Sequence, residues 1–124
     1  ILKDADLDLT VDECVAGSLS FNGQRCTALK ILFVHEDIAD EFIKKFSAKV
    51  DALKVGMPWN NPTITPLPED GKVEFLNGLI KDADSFGAKI VNEPGGQPVG
   101  NLFAPTVLYP VNENMKVCHI GQFG

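Results

Sequence analysis

Positive charge is scarce in this chain: 11 Lys and Arg face 17 Asp and Glu, a formal net charge of −6. That balance argues against nucleic acid and anionic membrane surfaces as partners. Long apolar runs are lacking as well, and none approaches the ~20 residues that a bilayer-spanning helix needs. The start, Ile1-Leu2-Lys3-Asp4, has neither the layout of a signal peptide nor that of a transit peptide. It also lacks a methionine, so further residues are expected before it. Only three cysteines occur, Cys14, Cys26 and Cys118. They cannot all pair, and their spacings fit no disulfide framework or zinc site. A reducing compartment, the cytosol, is therefore the expectation. The two histidines, His35 and His119, are too isolated to suggest a metal site or a triad. Asp4, Asp6 and Asp8 imitate the start of a calcium loop, but Leu9 stands where glycine is needed and Val15 where glutamate is needed. Gly95, Gly96 and Gly100 make no phosphate loop, because no lysine and no helix follow them.

What is present reads as alternating helices and strands, and hence as an α/β fold. With 124 residues the chain can bury roughly two thirds of its unfolded surface. Thr10 and Glu13 have capping-box spacing, and Val11, Cys14, Val15 and Leu19 fall on one helical face. Cys14 thus reads as core. A dense apolar run, Ala28–Val34, is interrupted only by Lys30, as in a central parallel strand. A second helix is expected from about Ile38 to Leu53, burying Phe42, Phe46 and Val50, with Asp37 as N-cap. Four prolines between Pro58 and Pro68 break regular structure and predict an ordered loop packed down by Trp59. A third helix over about 71–86 should stop at Gly87. Strands over 88–92 and 102–109 complete one compact unit.

The richest stretch is Phe21-Asn22-Gly23-Gln24-Arg25-Cys26-Thr27-Ala28. Asn22 and Gly23 permit a turn with positive φ between the first helix and the apolar run. Cys26 should therefore sit on a short turn at the mouth of a strand, where α/β proteins present their chemistry. This segment resembles the Gly-Gln-x-Cys motif of the aldehyde dehydrogenase superfamily. Leu53-Lys54-Val55-Gly56-Met57-Pro58 is similar to its Lys-Val-Gly-x-Pro tract. Asn101–Leu108 resembles a later strand, and Phe123-Gly124 its x-Phe-Gly element. The resemblance spans the whole chain, but only about a quarter of a full family member. It implies a mostly parallel sheet with flanking helices: residues 1–124 as a partial catalytic domain, with no cofactor-binding domain.

The resemblance also implies a chemistry. Cys26 would be the nucleophile that adds to an aldehyde, hydride would pass to NADP or NAD, and water would release the acid from a thioester. An ordinary thiol with a pKa of ~8.5 is only a few per cent ionised near pH 7, so a cation or backbone dipoles must favour the thiolate. Arg25 adjoins Cys26, and a guanidinium fork suits a phosphorylated substrate. Ile64–Glu69 looks like the NADP-dependent glyceraldehyde-3-phosphate branch. In the family's Glu-x-Phe-Gly element the glutamate holds the nicotinamide ribose and the phenylalanine packs near the nicotinamide. Here Phe123 remains, but Gly121 replaces the glutamate. The family's general base, oxyanion-hole asparagine and dinucleotide domain lie upstream of Ile1, so this chain alone should be inactive. The alternative is a truncated or degenerate relative that serves as a structural or interaction domain, self-associating through exposed apolar surface.

Overall fold

A computed structural model describes all residues from Ile1 to Gly124. Helix α1 (Leu7–Leu19) begins at Asp6, whose Oδ1 accepts the N–H groups of Asp8 and Leu9, both at 3.1 Å. The expected Thr10–Glu13 capping box is not used. Thr10 already lies inside the helix, with its N–H on the Asp6 carbonyl at 2.9 Å. Helix α2 (Glu36–Asp51) is capped by His35 rather than Asp37, because His35 Nδ1 accepts the Asp37 N–H at 3.2 Å. Val11 and Cys14 of α1 pack on Phe42, Phe46 and Val50 of α2, the stripe that the spacing predicts. Across the seam Lys45 meets Asp8 at 2.7 Å and Lys49 meets Asp12 at 2.8 Å. These ion pairs are exposed, so burial of the two phenylalanines contributes most of the adhesion.

Helix α3 (Lys72–Ser85) buries Val73, Leu76, Leu79 and Ala83. It ends at Gly87 as expected, with φ 98°. The Gly87 N–H bonds the Asp84 carbonyl and the Ala88 N–H bonds the Ala83 carbonyl, both at 3.0 Å, the bond pair of a Schellman stop.

The strands depart from expectation. β1 (Lys89–Ile90) pairs antiparallel with β4 (Leu108–Tyr109), and β2 (Pro98–Val99) pairs antiparallel with β3 (Leu102–Phe103). Beyond Ile90 the Val91 N–H still bonds the Val107 carbonyl at 2.9 Å, and the side chain of Asn92 replaces the returning bond of that pair. It accepts the Val107 N–H at 2.8 Å and donates to the Pro105 carbonyl at 2.9 Å. The parallel pairing within a named sheet that a mostly parallel fold requires is not formed; Val55 and Ile64 make one isolated parallel bridge.

Ala28–Val34 forms no strand ladder, because no neighbouring strand pairs along it. Its backbone meets Ile1 alone in strand-like fashion: Ile1 N donates to the Phe33 carbonyl at 2.6 Å and the His35 N–H to the Ile1 carbonyl at 3.0 Å. Those two bonds are the pattern of a single parallel rung. Leu29, Ile31 and Phe33 consequently stand exposed, Phe33 at 83%. Gly17 lets this segment approach α1, since a Cβ there would lie 2.8 Å from Leu29 Cδ1.

Trp59 does not pack the proline-rich loop down. It is the middle residue of a short turn, Pro58–Asn60, and is 77% exposed, while Ile64 and Leu67 are the buried residues of the loop. Buried side chains form three separate clusters rather than one core. An open apolar groove of about 530 Å³ runs among them, walled by Ile31, Phe33, Phe46, Leu76 and Val107.

Candidate active site

The turn that leads to Cys26 is built by three successive left-handed residues. Phe21 (φ 54°), Asn22 (φ 58°) and Gly23 (φ 68°) reverse the chain after α1. Two of them carry a Cβ, and each left-handed non-glycine residue costs about 1–3 kcal/mol. Asn22 offsets part of this through a two-point latch on Thr65. Its Nδ2 donates to Thr65 Oγ1 and its Oδ1 accepts the Thr65 N–H, each at 2.9 Å. At about 0.5–1.5 kcal/mol per bond, the latch is comparable to the cost of one left-handed residue. Gly23 admits no side chain: a Cβ would lie 2.8 Å from Lys30 Nζ and 2.9 Å from the Ser18 carbonyl.

Past Gly23 the Ala28 N–H closes onto the Arg25 carbonyl at 3.0 Å. Cys26 and Thr27 are therefore the central residues of a tight turn, and the Cys26 thiol is exposed. The Cys26 backbone N–H makes no hydrogen bond within the protein. It is a donor available to an oxygen bound beside the sulfur. Cys14 is the opposite case, a core residue as expected, whose burial pushes the thiol above its ordinary value, with Glu13 adding to the shift. Cys118 is half-buried and lines the groove.

Arg25 turns back along the chain. Nη1 donates to Ser20 Oγ at 3.2 Å and the guanidinium lies 5.6 Å from the centroid of the Phe21 ring. That is its sole hydrogen bond within the protein, so most of its five donors stay free. Phe21 is itself 77% exposed, so this stack is held at the surface.

The far end of the chain reaches the same place. Lys30 Nζ donates to the Gly23 carbonyl at 2.8 Å and to the Gly124 carbonyl at 3.1 Å. Burial pushes the Lys30 ammonium below the ordinary lysine value, and nearby Lys72 adds to this. The Cys26 turn and Phe123-Gly124 are thus brought together, with the Phe123 ring 48% exposed. A Cβ at Gly121 would meet nothing within 4 Å, so no side chain projects from that position and none closes over it. No group of three or more His, Cys, Asp or Glu converges on a metal-sized point.

Fold and site together define an α/β protein with an exposed thiol on a hydrogen-bonded turn. The model of the aldehyde dehydrogenase family matches residues 1–124. The NADP-dependent glyceraldehyde-3-phosphate dehydrogenase of Streptococcus equinus is 44% identical over all 124 residues, which cover 26% of its length. The Scenedesmus vacuolatus enzyme of that name is 40% identical, with 52% of it covered. Among solved structures, the NADP-dependent glyceraldehyde-3-phosphate dehydrogenase of Bacillus halodurans C-125, complexed with NADP, superposes with a TM-score of 0.89 at 40% identity. The match covers 94% of this chain and 24% of that one. Salicylaldehyde dehydrogenase from Pseudomonas putida G7, complexed with salicylaldehyde, gives 0.92 at 38% identity over the whole chain and 26% of its own. This chain belongs to the aldehyde dehydrogenase family. It spans between about a quarter and a half of the length of these relatives.

Proposed function

We propose that this chain is the nucleophile-bearing part of a catalytic domain that oxidises glyceraldehyde 3-phosphate with NADP, and that Cys26 is the nucleophile. The observation that carries the reading is the exposed Cys26 thiol, fixed in a tight turn beside its own unbonded N–H. The thiolate adds to the aldehyde carbon and the carbonyl electron pair becomes an alkoxide. The Cys26 N–H donates to that oxygen, a contact that strengthens as charge develops. Arg25 releases Ser20 and turns its free donors to the substrate phosphate. Loss of hydride from the adduct's carbon would give a thioester, and NADP would supply the hydride acceptor. No residue of this chain supplies the general base, worth ~10²–10⁴-fold, so these residues alone are inactive as a dehydrogenase. The similarity to the named glyceraldehyde-3-phosphate enzymes supports the substrate and the choice of NADP.

Aldehyde protection tests the reading on the chain as it is. Cys26 is alkylated by iodoacetamide with mass-spectrometric site assignment, with and without glyceraldehyde 3-phosphate. Reversible addition of the thiol should slow alkylation of Cys26 several-fold and leave Cys118 unaffected. Glyceraldehyde without phosphate should protect less, and the difference should vanish in Arg25→Ala. Equal alkylation of Cys26 in all conditions would remove the nucleophile reading. A second reading would then lead, favoured by exposed Leu29, Ile31 and Phe33: a non-catalytic module that self-associates or binds a partner through that apolar face.

A further inference from the structure

Lys30 is the one polar residue in the apolar run Ala28–Val34, and nothing in the chemistry above uses it. No Asp or Glu carboxylate lies within 4 Å of its ammonium; both of its hydrogen bonds go to main-chain oxygens, of Gly23 and Gly124. These two carbonyls are far apart in sequence yet adjacent in space, for a Cβ on Gly23 would lie 3.6 Å from the Gly124 carbonyl carbon. An uncharged side chain of the same length could not satisfy either one. Gly23 is buried and Gly124 half-buried, so a main-chain oxygen left there without its donor is less readily rehydrated than one at the open surface.

We infer that Lys30 is a positioning residue that clamps the Cys26 turn to the Phe123-Gly124 segment, so that the two move as one body. Gly23 lies three residues before Cys26, and Gly124 directly follows Phe123. One ammonium therefore fixes both the nucleophile side and the aromatic side of the site. Asn22 ties the turn to Thr65, whereas the Lys30 ammonium ties it to the chain's last residue. The functional meaning of the clamp rests on Cys26 being the nucleophile, but its existence does not.

The test is nitrogen-15 relaxation of the 124-residue chain in its native form, in Lys30→Met and in Lys30→Arg. In the native chain the amides of Gly23–Cys26 and Gln122–Gly124 should both have order parameters near the rigid value of about 0.85. In Lys30→Met both groups should fall together toward or below about 0.6, with the amides of α2 unchanged. Lys30→Arg, which keeps a cation and several donors, should recover both. Loosening of one segment alone, of neither, or without recovery in Lys30→Arg overturns the clamp. A variant that fails to fold leaves a reading on the native chain. The Lys30 ammonium protons should exchange with water at least tenfold more slowly than those of exposed Lys44 and Lys54, and equal exchange overturns the clamp. If relaxation bears the clamp out while glyceraldehyde 3-phosphate fails to protect Cys26, the clamp stands and the nucleophile reading falls.

Discussion

Aldehyde oxidation should fall by on the order of 10⁴-fold or more when Cys26 is replaced by serine. The setting is a chimera in which residues 1–124 replace the matching 26% of the Streptococcus equinus relative. The flanks of that enzyme then bring the chain to the relative's full length. The size of the effect follows from the role: a thiolate is a far better nucleophile near neutral pH than a serine hydroxyl with no dedicated base. Loss of a packing cysteine would behave differently. Cys14→Ser should cost stability, because it buries a hydroxyl among Val11, Phe42 and Phe46, yet leave turnover per folded molecule close to native. A Cys26→Ser chimera with more than a tenth of native activity would remove Cys26 from the chemistry.

The second large effect runs in the opposite direction. Gly121→Glu in the same chimera should lower the KM for NADP by about ten- to a hundredfold. One charge-assisted hydrogen bond is worth about 1.5–3 kcal/mol, and each 1.4 kcal/mol is tenfold. The structure accepts the change without rearrangement. Gly121 is not among the left-handed glycines, and its Cβ direction is open. A carboxylate three residues before Gly124 would then sit on the segment that Lys30 clamps. Cys26 alkylation should not change, because a Cβ at residue 121 meets nothing within 4 Å, the Cys26 turn included. An unchanged KM would mean that position 121 does not face the nicotinamide ribose, and that the missing glutamate does not limit cofactor binding.

Helices were legible in the sequence because each carries its own evidence. The spacing of Phe42, Phe46 and Val50, or of Val73, Leu76 and Leu79, fixes a buried face whatever lies opposite. Caps were less legible, since several acceptors crowd each start. Asp6 and His35 hold the bonds that Thr10 and Asp37 were expected to hold, and backbone geometry decides which acceptor reaches the free N–H groups. Strands were the least legible. The pattern of Ala28–Val34 says which faces the residues favour, but a ladder also needs a neighbour, and here only Ile1 provides a rung. Trp59 failed for a related reason: size predicts that a ring gains from burial without saying what would cover it.

The site divides in the same way. Asn22 and Gly23 announced the turn by their tolerance of positive φ, whereas Phe21 in the same conformation gave no such signal. The Asn22–Thr65 latch joins positions 43 apart, and the Lys30–Gly124 bond positions 94 apart, separations that local patterning does not reach. A lone cation in an apolar run was the available clue to Lys30. Arg25 follows Gln24 toward Cys26 in the sequence, but its stack on Phe21 needed the reversal of the chain to be seen.

Acid quenching of the chimera during turnover, followed by peptide mass spectrometry, tests the central claim most directly. With glyceraldehyde 3-phosphate and NADP, the peptide carrying Cys26 should gain the mass of one phosphoglyceroyl group, labile to hydroxylamine as a thioester is. Its occupancy should vanish in Cys26→Ser and when NADP is omitted. Turnover with no acyl group on Cys26, or with the group on Cys118 instead, would contradict the account.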